Sequence, residues 1–515
     1  MRQNEMFELV FSGDTLQDAW AQVDLTGEFS CGETVKTVKG FYDGEGRYIV
    51  RFLPEIPGIW HWKVSGAVNA EGTETCDPAG KNHGLVRAAD THFEYADGTL
   101  FIPFGTTVYA LVHQDDALAE QTLESLKTAP FNKVRMCVFP KHYDYNHNEP
   151  PCFAFDKKAD GSWDVNRPCI AFWHRFENIL KRMAGMEIQA DLILFHPYDR
   201  WGFASLPQED NLVYLDYLLR RLSAWPGIWW SLANEYDLCM DCKTLANWEE
   251  IEEYTARNDP YHHLLSNHNC MCFWDFSRPH VTHASIQTKA LSEIPRWIET
   301  WRKPVVIDEC CYEGNLPHFW GSISGQEMVR RFWRCYASGA FCTHGETFLA
   351  EDDILWWARG GRLKGESPRR IAFLRQIMES LPGPLQPRGN AFWDTAMRED
   401  ADFENALDRM PEEMRDFLKM FAASIRRMDV RDRTAHLAGE HVWEACCGEE
   451  AFLTYFDQQC YGEQTIRLPE DKRYRAELID VWNMTREVIA ENISGETKLP
   501  LPGRDNLALL ITRIN

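Results

Sequence analysis

Two stretches decide the fold: Trp229-Trp230-Ser231-Leu232-Ala233-Asn234-Glu235 and Pro304-Val305-Val306-Ile307-Asp308-Glu309. Each is a short apolar run, strand-length rather than helix-length, that stops in a carboxylate. Strands of a parallel barrel are covered by helices and read as continuous apolar runs, and the residues that follow them line the barrel mouth. Runs of the same kind recur at 100–108, 134–139, 188–195, 228–232, 264–267, 283–286, 305–307 and 339–343. Helix-periodic stretches separate them at 118–128, 173–184, 212–224, 248–258, 291–301 and 325–337, and a last helix is expected at 369–379. Eight such repeats predict an α/β chain whose centre, 93–384, is a (β/α)8 TIM barrel. The alternative is a doubly wound open sheet, but no Gly-x-Gly-x-x-Gly follows the first strand, so nucleotide binding there has no support.

The flanks read differently. Residues 1–92 alternate apolar and polar, with strands at 7–11 and 47–52. Gly40-Phe41-Tyr42-Asp43-Gly44-Glu45-Gly46 reads as a hairpin turn, and the segment is predicted to be a β-sandwich. Residues 385–434 read as an acidic helical connector, amphipathic over 411–427. Residues 435–515 return to strands, at 451–456, 474–481 and 507–511, with a turn at 499–503, and predict a second small β-sandwich.

Composition narrows the partners. The 515 residues carry 54 Lys plus Arg against 78 Asp plus Glu, a formal net charge of −24. Such a surface repels phosphate backbones and anionic lipid, so neither nucleic acid nor membrane is expected as a partner. No apolar stretch of about 20 residues occurs, and the N-terminus lacks the basic and apolar regions of a secretory signal. The 16 cysteines include the adjacent pairs Cys310-Cys311 and Cys446-Cys447, unlike a small disulfide framework, so a cytoplasmic protein is expected. The chain also holds 20 Trp, and flat indoles need flat apolar surfaces, of which a sugar face is one. A symmetric homo-oligomer is expected, as for most soluble enzymes.

Glu235 and Glu309 end the fourth and seventh strands and would face one cavity. Two carboxylates across one cavity are what glycoside cleavage needs: one protonates the leaving oxygen and the other attacks the anomeric carbon. That chemistry needs no cofactor. One glutamate at a strand end is as often a surface residue; two on this pair of strands, one of them preceded by Asn234, make a constellation.

On these residues the chain resembles the clan of retaining glycoside hydrolases with catalytic glutamates on barrel strands 4 and 7, clan A. Phe131-Asn132-Lys133-Val134-Arg135 resembles the clan's second strand, where Arg135 would support the nucleophile. Leu192-Ile193-Leu194-Phe195-His196 resembles the third, with His196 on the sugar. The resemblance makes Glu235 the acid/base, Asn234 the holder of the sugar 2-hydroxyl and Glu309 the nucleophile. A narrower resemblance, to apiosidase-like barrels between an immunoglobulin-like N-terminal domain and a C-terminal β-sandwich, rests on Gly40–44 with Pro57-Gly58-Ile59-Trp60 and on Asp480-Val481-Trp482-Asn483-Met484-Thr485.

The chain departs from the clan pattern in places. The sixth strand ends in Gln287 where many members carry His, leaving Tyr312 or Tyr198 to supply a phenol. After the eighth strand come Glu346, expected on a sugar hydroxyl or on Arg359, and then Trp356-Trp357, of which Trp356 is the candidate sugar platform. Tyr198 and Trp201, in the loop after His196, are expected to line the substrate site, with His142 and Asn267. Cys239 and Cys242 after strand 4 and Cys270 and Cys272 after strand 5 could converge on a structural zinc; otherwise they are small hydrophobes. The reading is thus a retaining, exo-acting β-glycosidase on small carbohydrates or glycosides. The alternatives are an endo-acting glycanase, a furanosidase for arabinofuranose or apiose, or a silent carbohydrate-binding protein. A barrel aldolase would use Lys141 or Lys289 but lacks a companion motif.

Overall fold

A computed structural model describes residues 1–388, 407–408, 410–439 and 442–514. The chain forms two compact units. The first holds Met1–Thr288, Trp301–Gly325 and Cys342–Pro368; the second holds Lys289–Thr300, Gln326–Phe341 and Arg369–Asn515.

The barrel strands are β1 (Phe104–Thr107), β2 (Lys133–Cys137), β3 (Gln189–Phe195), β4 (Ile228–Ala233), β5 (Leu265–Ser266), β6 (Ala284–Gln287), β7 (Val305–Glu309) and β8 (Phe341–His344). They form one eight-stranded sheet in the order β5-β4-β3-β2-β1-β8-β7-β6. Neighbouring strands run parallel, as in the pairings Gly105↔Lys133 and Lys133↔Gln189. A parallel bridge from His268 to Ser285 brings β5 back to β6 and nearly closes the ring. β2, β3 and β4 are buried at every position, which is why they read as unbroken apolar runs.

The helices that alternate with these strands are α1 (Asp116–Thr128), α2 (Ile170–Ala184), α3 (Gln208–Leu222), α4 (Leu245–Asn258), α5 (Ile294–Trp301) and α6 (Gly325–Tyr336); a short α7 (Trp356–Arg359) and α8 (Ser367–Glu379) follow β8. The first four begin earlier than their apolar periodicity; in α1 and α3 polar residues, Asp116 and Gln208-Glu209-Asp210-Asn211, open the first turn. Asp115 caps α1 by accepting from the Leu118 N–H at 2.9 Å, and Thr244 and Asn247 form a reciprocal capping box on α4.

The N-terminal segment is a sandwich of two antiparallel sheets, one of Phe7–Ser12, Arg47–Phe52 and Phe41–Tyr42, the other of Thr34–Lys39, Leu25–Cys31, Gly58–Gly66 and Ala70–Cys76. Phe29 stacks on Phe52 at 4.0 Å between them, with Trp60, Val50 and Val64. Gly44 and Gly46 take positive φ and turn the chain into Arg47, as the hairpin signal requires. A small antiparallel sheet, Val86–Ala89, His92–Tyr95 and Leu100–Phe101, leads into β1 and straddles position 92. Phe93 from it packs on Trp229 of β4 at 5.0 Å. The sandwich is joined to α2 and α3 by a buried ion cluster: Glu177 bonds both Arg51 and Arg221, and Arg221 also meets Asp43 at 2.8 Å.

In the second unit a six-stranded antiparallel sheet carries the C-terminal core, built on Tyr474, Leu509 and Ile511. A two-stranded pair, Glu463–Arg467 with Glu496–Pro500, completes it; Leu499 and Pro500 are therefore strand, not turn. α6 packs on this sheet through Trp333 against Tyr455 (5.6 Å) and Arg334 on Asp457 (2.9 Å). The amphipathic stretch of the connector is a helix, Glu412–Arg426, followed by a second, Val430–Gly439; the rest of the predicted connector, 389–406 and 409, lies outside the described residues.

Candidate active site

Two departures from regular backbone aim the acidic residues. β4 stops at Ala233, and Glu235 then takes a left-handed conformation (φ 57°, ψ 57°). A residue with a Cβ held there costs roughly 1–2 kcal/mol, and such strain gathers at functional sites. It lets Asn234 and Glu235 lie side by side, with Asn234 Nδ2 donating to Glu235 Oε2 at 3.0 Å. On β7 the register runs Ile286↔Ile307 and then Gln287↔Glu309, skipping Asp308. Regular alternation would send Asp308 and Glu309 to opposite faces; the bulge turns both into the barrel.

Asp308 lies on the floor. It accepts from Lys133 Nζ (2.7 Å), Thr343 Oγ1 (2.7 Å) and Ser285 Oγ (2.6 Å), and Lys133 also meets Asp191 at 2.9 Å. Burial would raise the Asp308 carboxyl, but Lys133 and Arg135 outweigh it and hold it well below the usual range. This layer is fixed charge.

Glu309 sits above it. The Tyr109 hydroxyl donates to Glu309 Oε1 and lies 2.8 Å from Asn234 Oδ1; the Tyr312 hydroxyl donates to Oε2 at 2.5 Å; Arg135 Nη1 lies 3.5 Å from Oε1. Tyr198 donates to Glu235 Oε2 at 2.5 Å. The two carboxyls are thus ends of one chain of contacts, Glu235–Asn234–Tyr109–Glu309. His268 joins them from β5: its Nδ1 accepts the Glu235 N–H at 3.3 Å and its Nε2 lies 4.0 Å from Glu309. Burial, then Arg135, keep His268 far below its ordinary value, a neutral ring. Burial and the charge of Glu235 push the Glu309 carboxyl up, against Arg135, Lys141 and Tyr109.

The other candidates divide. Arg135, Asn234 and Tyr198 touch the acidic pair. Gln287 comes close: its backbone is pinned by Asn269, and its Nε2 lies 3.8 Å from Cys270 Sγ. Cys270 stands beside Glu235, and burial followed by that carboxylate pushes its thiol up to about 12. His142 and Trp201 meet edge to face at 5.9 Å in the loops after β2 and β3, and the Trp201 indole donates to Glu149 at 3.0 Å. His196 points its Nε2 at the Phe139 carbonyl (3.1 Å), with burial lowering it to about 3. Asn267 is fully buried and accepts from the His268 N–H at 3.1 Å; its neighbour His268 reaches the carboxylates in its place.

Two expectations, for Trp356 and Glu346, are corrected. Trp356 is a packing residue, its indole donating to Thr106 Oγ1 at 2.9 Å; Trp357 faces Tyr109 (5.6 Å), Tyr143 (5.0 Å) and Tyr312 (5.3 Å). Glu346 pairs with neither sugar-facing groups nor Arg359: its carboxylate accepts the Lys364 and Gly365 N–H groups at 2.5 and 2.7 Å, while Arg359 donates to Gln114. Burial raises the Glu346 carboxyl to about 7, with Glu313 adding to it. The four cysteines do not gather: among the described residues the group of three or more His, Cys and acidic residues whose ligand atoms all lie within 4.8 Å of one another is Glu313, His344 and Glu346. Cys242 donates to the Cys239 carbonyl at 3.2 Å, and Cys272 is exposed.

The sequence passes over Tyr109, and it offers Trp357 only beside Trp356, His268 only beside Asn267 and Lys141 only as an aldolase base. The Lys141 ammonium lies 3.4 Å from the Tyr109 ring and 4.2 Å from that of Tyr198.

A barrel mouth with a buried pair of glutamates and aromatic walls defines the class, a barrel glycoside hydrolase, and comparisons with known proteins agree. Residues 88–399 match the apiosidase-like catalytic domain, and two domains of unknown function match 1–67 and 440–512. The chain belongs to the apiosidase-like family of glycoside hydrolases. A crystal structure from Bacteroides vulgatus ATCC 8482, provisionally described as a glycoside hydrolase, is 33% identical and covers 100% of this chain and 99% of its own, with a TM-score of 0.84. A family 5 glycoside hydrolase from the same organism shares the fold at 14% identity and TM-score 0.57, covering 84% of this chain and 94% of its own. No curated protein matches the chain at significance.

Proposed function

We propose that the chain is a retaining, exo-acting β-glycosidase working by double displacement, with Glu309 as nucleophile and Glu235 as acid/base. The observation that carries it is the asymmetry of the pair. Glu309 accepts from two phenols and faces Arg135, groups that favour a carboxylate; Glu235 faces a phenol and an amide and no cation within ion-pair distance among the described residues. Those contacts suit Glu309 to carry negative charge and so to act as the nucleophile. Glu309 then attacks the anomeric carbon while Glu235 protonates the leaving oxygen. In the glycosyl ester Glu309 is neutral, so Glu235 becomes more acidic and takes the proton of the incoming water. In this reading Asn234 serves the 2-hydroxyl and Trp357 a sugar face. The crowding of aromatic loops around the pair supports exo action on small glycosides. Cysteine usage supports a reducing, cytoplasmic setting, and general enzyme symmetry a homo-oligomer.

The test is a panel of 4-nitrophenyl glycosides, neutral and acidic, pyranoside and furanoside, with Glu309→Gln and Glu235→Gln alongside. Release by wild type alone is expected, with an anomeric product of retained configuration by NMR. Substantial turnover by Glu309→Gln, or an inverted product, would overturn the assignment.

A further inference from the structure

Lys141 follows β2 and is 2% exposed. Its backbone carbonyl is pinned by Asn146 Nδ2 at 2.6 Å, so the residue is held rather than draped. Four rings surround its ammonium: Tyr109 at 3.4 Å, Tyr198 at 4.2 Å, Tyr143 at 5.1 Å and Trp357 at 5.7 Å. Two of those tyrosines hold the acidic pair, Tyr109 on Glu309 and Tyr198 on Glu235. Aromatic faces attract a cation but accept no strong hydrogen bond. Among the described residues Lys141 Nζ has no hydrogen-bond acceptor and no ion-pair partner, so its three N–H donors are unused. Beside it, the Tyr143 hydroxyl and the Trp357 indole N–H are buried without a hydrogen-bond partner.

Elsewhere in the barrel the cations are matched. Lys133 meets Asp308 and Asp191, and Arg135 lies near both and near Glu309. Lys141 is the exception. Burial lowers the proton affinity of this ammonium, and the charges of Glu235 and Glu309 oppose that without reaching it as ion-pair partners. A neutral sugar is recognised at less cost by amides, indoles and hydroxyls. A hydroxyl would also bring its own hydrogen among groups that mainly donate. An ionised carboxylate only accepts, and it matches the ammonium in charge.

We propose, resting on the glycosidase reading above, that the sugar unit held at Glu309 is a hexuronic acid and that Lys141 binds its carboxylate. Lys141 is then the residue that sets specificity. Tyr109 and Tyr198 carry it on the same rings that orient Glu309 and Glu235, so the acid group is gripped one ring away from the reacting carbon. A uronate supplies the acceptor that these aromatic walls do not.

The experiment compares 4-nitrophenyl β-D-glucuronide and β-D-galacturonide with the matching glucoside and galactoside, in wild type, Lys141→Met and Lys141→Arg. The expected result is a uronide preference in kcat/KM for wild type, lowered at least about thirtyfold by Lys141→Met and partly restored by Lys141→Arg. A wild-type preference for the neutral sugars, or a ratio unmoved in Lys141→Met, would overturn the proposal. Binding separates this from failure of the glycosidase reading. Calorimetry of free glucuronate and galacturonate against glucose and galactose is run on Glu309→Gln and on Glu309→Gln with Lys141→Met. Uronate binding lost only in the double variant supports Lys141 even where no substrate turns over; equal binding of acid and neutral sugars overturns it.

Discussion

Replacing Tyr109 with Phe removes one hydroxyl and keeps the ring. The ring packs edge-on to Trp357 at 5.6 Å and lies under the Lys141 ammonium, and both contacts survive the change. What goes is the donor to Glu309 Oε1. A hydrogen bond to a charged acceptor is worth about 1.5–3 kcal/mol, and one pH unit is about 1.36 kcal/mol. The Glu309 carboxyl already stands above its usual range through burial and Glu235, and this hydroxyl is one of the groups opposing that rise. Without it the proton is held more tightly, so the acid limb of the kcat/KM profile moves to higher pH by about 1–2 units. At a pH on the old limb that is a loss of roughly ten- to a hundredfold. The assay is a kcat/KM profile from about pH 4 to 9 on wild type and variant, with thermal melts as a check that the fold is kept. A variant within about twofold of wild type, with its acid limb unmoved, would refute the reasoning from geometry to ionisation.

Two further outcomes are expected. Trp357→Ala should raise KM for glycosides by about tenfold or more through loss of a stacking face, and Trp356→Phe should leave KM near wild type while lowering the melting temperature, because it breaks the bond to Thr106; the reverse pattern would restore Trp356 as the platform. Glu346, near 7 when folded against 4.5 ordinarily, contributes its full share of stability below about pH 4.5 and loses it as pH rises through 7, a swing of about 3 kcal/mol. Denaturant titrations at about pH 5 and 8 should show that swing in wild type and a smaller one in Glu346→Gln, whatever the variant's absolute stability.

Much of the architecture was legible because its signals are local. The runs 228–232 and 305–307 are apolar for the reason β4 and β7 are buried on both faces, and their terminal acids name the barrel mouth. Asn234 beside Glu235 was legible as a motif. Tyr109 was not, because nothing in its immediate sequence marks a group that turns inward from a loop after a strand. The choice between Trp356 and Trp357 depends on which indole meets Thr106, some 250 residues away in sequence. The early starts of α1 and α3 lie in polar first turns that periodicity does not register. The bulge at Asp308 is hidden too: read as a regular strand, β7 would put Asp308 and Glu309 on opposite faces.

The central claim is that Glu309 forms a bond to the sugar. The direct measurement is incubation with a 2-deoxy-2-fluoro glycoside of the best substrate in the panel, which slows release of the intermediate, followed by intact mass and peptide mapping. The account predicts one added fluoroglycosyl group, on the peptide that carries Glu309, and none in Glu309→Gln. Label on another residue, or turnover of the probe through an inverted product with no label at any time, would contradict it.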